Sequence, residues 1–447
     1  MYSLSESRKS RVYRDLLNIA IPTAVEFFLF NVIAFTDNIM VSYLGDYPVA
    51  GVSLANKFFE LFITIAFAVM GAYNILATRQ YAKGDIDDFK NTFFISILIL
   101  LLFSFLFIFI SLFYPYFFLG LLSNDSKAIS YGITYLDIAV YSFVFAVVKG
   151  IIANSLKIVK ITKIQVVTSV VAVVLNVVFN YLFIFIFGMG VLGAAIATTL
   201  VRGIELVFYL LYTVFNSDSH FHLKVKNLKI NPVIFSQLIK FFIPIFLNEF
   251  IWFLGYFGLI AIFARINTAK YAAYSITFST YFMGFNIINA FCFSVNIIMG
   301  HEMHNDKREI MAVAIYLGKI GFILAIVTSF IMVALSFIAP YVFYELEYAS
   351  LIGVMLRYYA ISVFFTALAF QYLFGFFRAG ASPSFGAIME GSVTFIYTIP
   401  IAYLLANYTQ IPFELIVFIP TLEDVIKLGI SLPYFYSTKW IKSIKTG

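Results

Sequence analysis

The chain alternates long apolar runs with short polar breaks. Residues Thr92 to Leu122 contain no charged side chain at all. Twelve apolar segments can be marked, at 16–43, 47–72, 91–117, 130–155, 163–187, 191–215, 236–263, 271–298, 312–340, 349–377, 383–406 and 411–435. Crossing ~30 Å of hydrocarbon takes roughly 20 predominantly apolar residues. Lipid offers backbone N–H and C=O groups no partner, so a spanning segment that is not part of a closed barrel must be a helix. The pattern therefore predicts an all-α integral membrane protein with twelve transmembrane helices.

Composition strengthens this reading. Of 447 residues, 62% are hydrophobic and 12% charged, against about 25% charged in a soluble domain. The mean hydropathy is +0.96. The opening stretch MYSLSESRKSRVYRD is basic and polar. It lacks the short apolar core and small-residue cleavage site of a secretory signal, so the segment from Leu16 is expected to be retained as the first span. Cys292 is the only cysteine, so no intrachain disulfide is expected.

The position of the basic residues predicts the orientation. With the N-terminus inside, the inner breaks hold twenty Lys and Arg residues and the outer breaks hold three, Lys127, Arg265 and Lys270. Both termini are then cytoplasmic. The net charge of +6 is accounted for by this inner belt rather than by a nucleic-acid surface.

The longest polar break, NSDSHFHLKVKNLKINP (216–232), has six segments on each side. LNIAIPTAVEFFLF (17–30) aligns with IKFFIPIFLNEFIW (239–252) and pairs Pro22 with Pro244 at an offset of 222. The same offset pairs Ala50 with Ala272, Ser53 with Ser275, Asn74 with Asn296 and Ile75 with Ile297. This is the mark of a duplication. An even number of spans gives both repeats the same topology, so their pseudo-twofold axis is expected along the membrane normal. The predicted lobes are 1–221 and 222–447.

Ionisable groups inside spans are costly and point to function. Glu26 and Asp37 lie 11 residues apart, three turns along nearly one face of the first helix. Asp37 is a candidate ion-binding carboxylate. Glu26 is a weaker one, since a side chain near the inner interface can snorkel. Glu249 is followed at i+3 and i+7 by Trp252 and Tyr256, an acid with aromatic faces suited to a cation. Glu390 stands alone in the eleventh segment. Asn176 and Asn180, at i and i+4, either hold a helix pair together or ligate an ion or solute. Lys57, Glu60, Asp137, Lys149, Arg202, Glu205, Arg357 and the Glu423/Lys427 pair are expected to be structural partners or interface residues.

Other chemistry is sparse. HEMH (301–304) lacks the i, i+4 geometry of a zinc helix, and HFH (220–222) lies in a predicted loop. No phosphate-binding loop of the G-x-x-x-x-G-K-[ST] type occurs, which argues against ATP-driven transport by this chain. No nucleophile elbow, no ligand-spaced cluster on one helix and no filter-like loop is visible, so an integral-membrane enzyme or a channel is not expected.

AIPTAVEFFLFNVIAFTDNIMVSYLG, with an aspartate fifteen residues after its proline and a V-x-x-L-G exit, resembles the first helix of the multidrug and toxic compound extrusion (MATE) family. NILATRQYAKGD is similar to the family's first inner loop, with Ala82 in place of its first glycine and Gly84 retained. LNVVFNYLFIF and GMGVLGAAIATTLVR resemble the fifth and sixth helices. IPIFLNEFIW, FRAGASPSFGAIMEGSVTFIYTIPIA and EDVIKLGISLPYFYSTKW resemble second-lobe elements. The similarity runs in order along nearly the whole chain.

The resemblance implies two six-helix lobes and efflux of amphipathic, often cationic compounds in exchange for H+ or Na+. It implies no cofactor, small drug-like substrates, a lipid surround and a monomer in the cell membrane. Asp37 and Asn176 match polar positions of the first lobe. Asn180 falls where one prokaryotic branch has an aspartate. Glu249 matches the acidic position of the seventh helix, and Glu390 falls where many members have aspartate. Na+ would be expected at Asp37 or Glu249. A buried carboxylate that takes a proton, Na+ or an organic cation, one excluding another, is the chemistry of antiport. The competing expectation is a lipid or lipid-linked oligosaccharide flippase of the same superfamily, which would need a basic cavity built from residues such as Lys149, Arg202 and Arg357.

Overall fold

The structure, a computed structural model, describes residues 4–122, 125–215, 230–266, 268–342 and 348–442. Among the described residues there is no strand. The chain forms two compact units, one of Ile21–Ile239 and one of Met1–Ala20 with Lys240–Gly447. The expected lobe boundary at 221/222 and the HFH triplet lie outside the described residues.

The first unit is built on α1 (Glu6–Ser42) from Ile21 onward, its earlier turns belonging to the other unit, with α2 (Asp46–Lys83), α3 (Ile86–Phe113), α4 (Pro115–Leu122), α5 (Ser126–Ala139), α6 (Ser142–Ile158), α7 (Lys163–Asn180) and α8 (Gly190–Phe215). The second follows with α9 (Pro232–Ile266), α10 (Thr268–Glu302), α11 (Lys307–Val342), α12 (Ala349–Phe370), α13 (Pro383–Val393), α14 (Ile399–Tyr408), α15 (Phe413–Thr421) and α16 (Glu423–Tyr436). Together they make the twelve-helix, two-lobed layout of a multi-pass membrane protein.

Ten helices among the described residues are long and apolar enough to cross a membrane. The pair α5 and α6, bent by 52°, makes an eleventh. The twelfth segment is two shorter helices, α15 and α16, that meet at Leu422. Pro420 and three charged groups, Glu423, Asp424 and Lys427, interrupt what the hydropathy pattern reads as one run. The first helix also starts ten residues earlier than its apolar segment. Its polar beginning is held by Arg8, whose guanidinium reaches Glu302 at 2.7 Å and Glu309 at 3.0 Å. Val12, Leu16 and Ile19 then join the apolar core of the second unit. That core closes on Trp440, fully buried against Phe435, whose carbonyl accepts its indole N–H at 2.9 Å.

Two features shape the interior of the first unit. At Gly51, α2 lies directly on α5: a Cβ there would sit 2.5 Å from Tyr131 Cβ and 2.7 Å from Ala128 O. Small residues allow this backbone approach where lipid provides no hydrophobic drive. The second feature is a wide π-turn, Tyr181–Ile186, that begins immediately after Asn180. Such turns re-aim side chains and recur at functional sites. Two more lie in the second unit, at Gln371–Phe377 and Thr394–Thr398.

Candidate functional site

Asp37 sits on α1, 8% exposed. Its Oδ1 accepts hydrogen bonds from Asn176 Nδ2 at 2.9 Å and Asn180 Nδ2 at 2.5 Å. Its Oδ2 accepts from Thr198 Oγ1 on α8 at 3.3 Å. The i, i+4 spacing of the asparagines puts both amides on one side of α7, and antiparallel α8 brings Thr198 to the same level. Three helices thus converge on one carboxylate. Both asparagines are fully buried, and their amide oxygens, Asn176 Oδ1 and Asn180 Oδ1, have no hydrogen-bond partner. An unmet buried acceptor costs about 1–3 kcal/mol, so two beside a carboxylate call for a donor or a cation. The available ligands are all oxygen, the set preferred by hard cations.

Glu26 lies elsewhere on the same face of α1. Its carboxylate binds Lys157 Nζ at 2.6 Å, with Lys157 3% exposed and its ammonium over Phe27. Lys149 and Glu205 close a further pair at 3.1 Å, and Lys57 and Glu60 another at 2.9 Å. Arg202 lies one turn beyond Thr198. Its guanidinium carbon is 5.1 Å from the Phe30 ring centre and 5.3 Å from that of Phe59.

In the second unit, Glu249 Oε1 accepts from Arg378 Nη2 at 2.6 Å. Arg378 also donates to Asn248 Oδ1 and stacks on Phe374 at 3.8 Å. Trp252 and Tyr256 stack on each other, 5.9 Å apart and 11° from parallel, and Tyr256 continues onto Phe278. Glu390 belongs to a separate cluster. Lys427 Nζ is 2.8 Å from Glu390, 3.0 Å from Glu423 and 3.9 Å from Asp424. Thr366 donates to Asp424 at 2.5 Å, and Thr398 donates to Glu423.

The structure therefore brings together Asp37, Asn176 and Asn180. It gives Glu26, Glu249 and Glu390 a basic partner each. Thr198 and Asp424 do not stand out in the sequence. The i, i+4 match of Thr198 to Arg202, and the acid pair ahead of Lys427 in EDVIK, were the available signals. No group of three or more His, Cys, Asp or Glu side chains placed to hold a metal occurs among the described residues.

The architecture is that of an all-helical, multi-pass membrane protein in two compact units. The MatE family model matches residues 22–182. The chain is 23% identical over 334 residues to the multidrug export protein MepA of Staphylococcus aureus (strain MRSA252), which covers 72% of each chain. The fold matches the outward-facing conformation of a multidrug resistance MATE family transporter of the MOP superfamily, with a TM-score of 0.85, 16% identity and 98% of both chains covered. It also matches a MOP superfamily transporter from Pyrococcus furiosus, described as having a binding pocket of reverse polarity that suggests a different function. There the TM-score is 0.86, the identity 16%, and the coverage 99% of this chain and 100% of that one. Over these lengths the chain is similar to transporters of the MATE family, and it shares their fold.

Proposed function

We propose that this protein is a secondary antiporter of the cell membrane, with both termini cytoplasmic, exporting amphipathic cationic compounds in exchange for H+ or Na+. The observation that carries the reading is the Asp37 carboxylate, held by Asn176, Asn180 and Thr198 beside two unmet amide oxygens. A proton on Asp37, Na+ among these oxygens and an organic cation paired with the carboxylate would exclude one another. That competition, coupled to alternating access, is sufficient for antiport. An entering cation gains about 2.3 kcal/mol per charge per 100 mV of membrane potential.

The name of the staphylococcal relatives, multidrug export protein, favours drug-like substrates. The flippase alternative loses support because its basic residues are not gathered. Lys149 is neutralised by Glu205, and Arg357 belongs to the other unit, bonded to the Gly353 carbonyl of its own helix. Glu249 and Glu390 are kept as candidate second-lobe cation sites, with Arg378 and Lys427 as internal cations to be displaced.

The test is movement of a fluorescent organic cation in proteoliposomes under an imposed pH gradient, then under an imposed Na+ gradient. Uphill movement under one of them is expected, and Asp37→Asn should abolish it with expression intact. Full coupled efflux by Asp37→Asn, with loss in Glu249→Gln instead, would move the coupling site to the second lobe. No uphill movement by folded wild-type protein under either gradient would refute the antiporter reading.

A further inference from the structure

Three ion pairs, Lys57–Glu60, Lys149–Glu205 and Lys157–Glu26, match acids with bases among the first unit's spans. Asp37 and Arg202 belong to none of these pairs. Arg202 makes no ion pair and no hydrogen bond with a described residue. Its guanidinium rests between Phe30 and Phe59, which supply ring faces but no oxygen acceptor. A cation–π contact contributes only about 0.5–2 kcal/mol, and no protein oxygen among the described residues accepts from the guanidinium of the half-buried Arg202. Arginine's planar fork is the side chain best suited to an oxyanion in a partly dry site.

The placement is regular. Thr198 contacts Asp37, and Arg202 comes one turn later on α8, ~6 Å along the axis. Phe30 precedes Asp37 by two turns on nearly the same face of α1, ~10 Å along its axis. The antiparallel helices thus set a carboxylate and a guanidinium about one to two turns apart, with aromatic rings beside the guanidinium. At that separation a purely cationic ligand on Asp37 is repelled by Arg202. A ligand with both charges satisfies both groups at once.

We propose that Asp37 and Arg202 are the two poles of one dipolar binding site, which takes an amphipathic zwitterion: a cationic nitrogen against Asp37, Asn176 and Asn180, and a carboxylate or phosphate oxygen on Arg202, with the apolar body along Phe30 and Phe59. This rests on the export reading and narrows it from cations to zwitterions. The same chemistry is carried by a drug-like amino acid derivative and by a zwitterionic lipid headgroup.

The test uses full-length protein in lipid nanodiscs with two probes, rhodamine B, a zwitterion, and its ethyl ester, in which the carboxylate is masked and only the cation remains. The wild type should bind rhodamine B more tightly. Arg202→Gln should weaken rhodamine B by roughly tenfold or more, the equivalent of one charge-assisted hydrogen bond, and should tighten the ester. Arg202→Lys, which restores a point charge, should recover part of the preference and shows that the effect is not misfolding. The lipid source is read in liposomes with acyl-labelled phosphatidylethanolamine, whose headgroup is intact. Transbilayer movement lost in Arg202→Gln would support the dipolar site with a lipid as its occupant. Arg202→Gln shifting both dyes equally, or neither, with lipid movement unchanged, overturns the proposal while leaving export standing. A folded wild type that binds neither dye and moves no lipid overturns the dipolar site, while the export reading is decided separately by uphill cation movement in proteoliposomes.

Discussion

Lys427 offers the sharpest energetic test. It is 3% exposed and has three carboxylates within 4 Å, Glu390 at 2.8 Å, Glu423 at 3.0 Å and Asp424 at 3.9 Å. Replacing it with Met keeps most of the aliphatic stem, so repacking alone should cost under about 1.5 kcal/mol. Removing the charge strands the acids, and breaking one buried pair from one side typically costs about 3–5 kcal/mol. Lys427→Met should therefore lose about 3–5 kcal/mol, a large share of the roughly 5–15 kcal/mol typical of a folded protein. The double variant Lys427→Met/Glu390→Gln removes the nearest stranded charge as well. It should recover about 1–3 kcal/mol, the usual coupling between groups in contact.

Unfolding by SDS in mixed micelles, followed by tryptophan fluorescence, provides the readout. Trp440 is buried against Phe435 of α16, the helix that carries Lys427, so it reports directly on this region. Lys427→Met within about 0.5 kcal/mol of wild type, the range of ordinary surface changes, would refute the view that the ammonium holds the cluster. A double variant as unstable as the two single losses added together would refute the coupling to Glu390.

Two further outcomes are expected. Gly51→Leu would drive a side chain into Tyr131 and the α5 backbone, where even a Cβ lies 2.5–2.7 Å from its neighbours; it should lose at least the roughly 1–3 kcal/mol of ordinary overpacking, seen as reduced thermostability in detergent, whereas Gly120→Leu, which meets nothing within 4 Å, should not. Arg8→Ala breaks two ion pairs whose partners are 20% and 51% exposed; the loss should be under about 1 kcal/mol and should shrink further as salt is raised.

The sequence by itself determined the fold class. Backbone groups in lipid must bond within their own helix, so apolar length alone marks most of the spans. The Glu26–Asp37 face and the Asn176–Asn180 pair could also be read from it, because helical spacing fixes which residues share a side. The same logic failed where a span is not one regular helix. The bend between α5 and α6, the break at Leu422 and the π-turn after Asn180 arise from packing and local hydrogen bonding that hydropathy does not register. Only the tertiary structure decided which charges meet. Asp37 and Thr198 are 161 residues apart, and Glu26 and Lys157 are 131 apart. Glu249, read in sequence as an acid among aromatics, acquires Arg378 from 129 residues away. Arg202 reads in sequence as one more structural cation. It stands out only once every neighbouring base is seen to have its acid, since the presence or absence of a partner is a property of three-dimensional proximity and not of spacing along the chain.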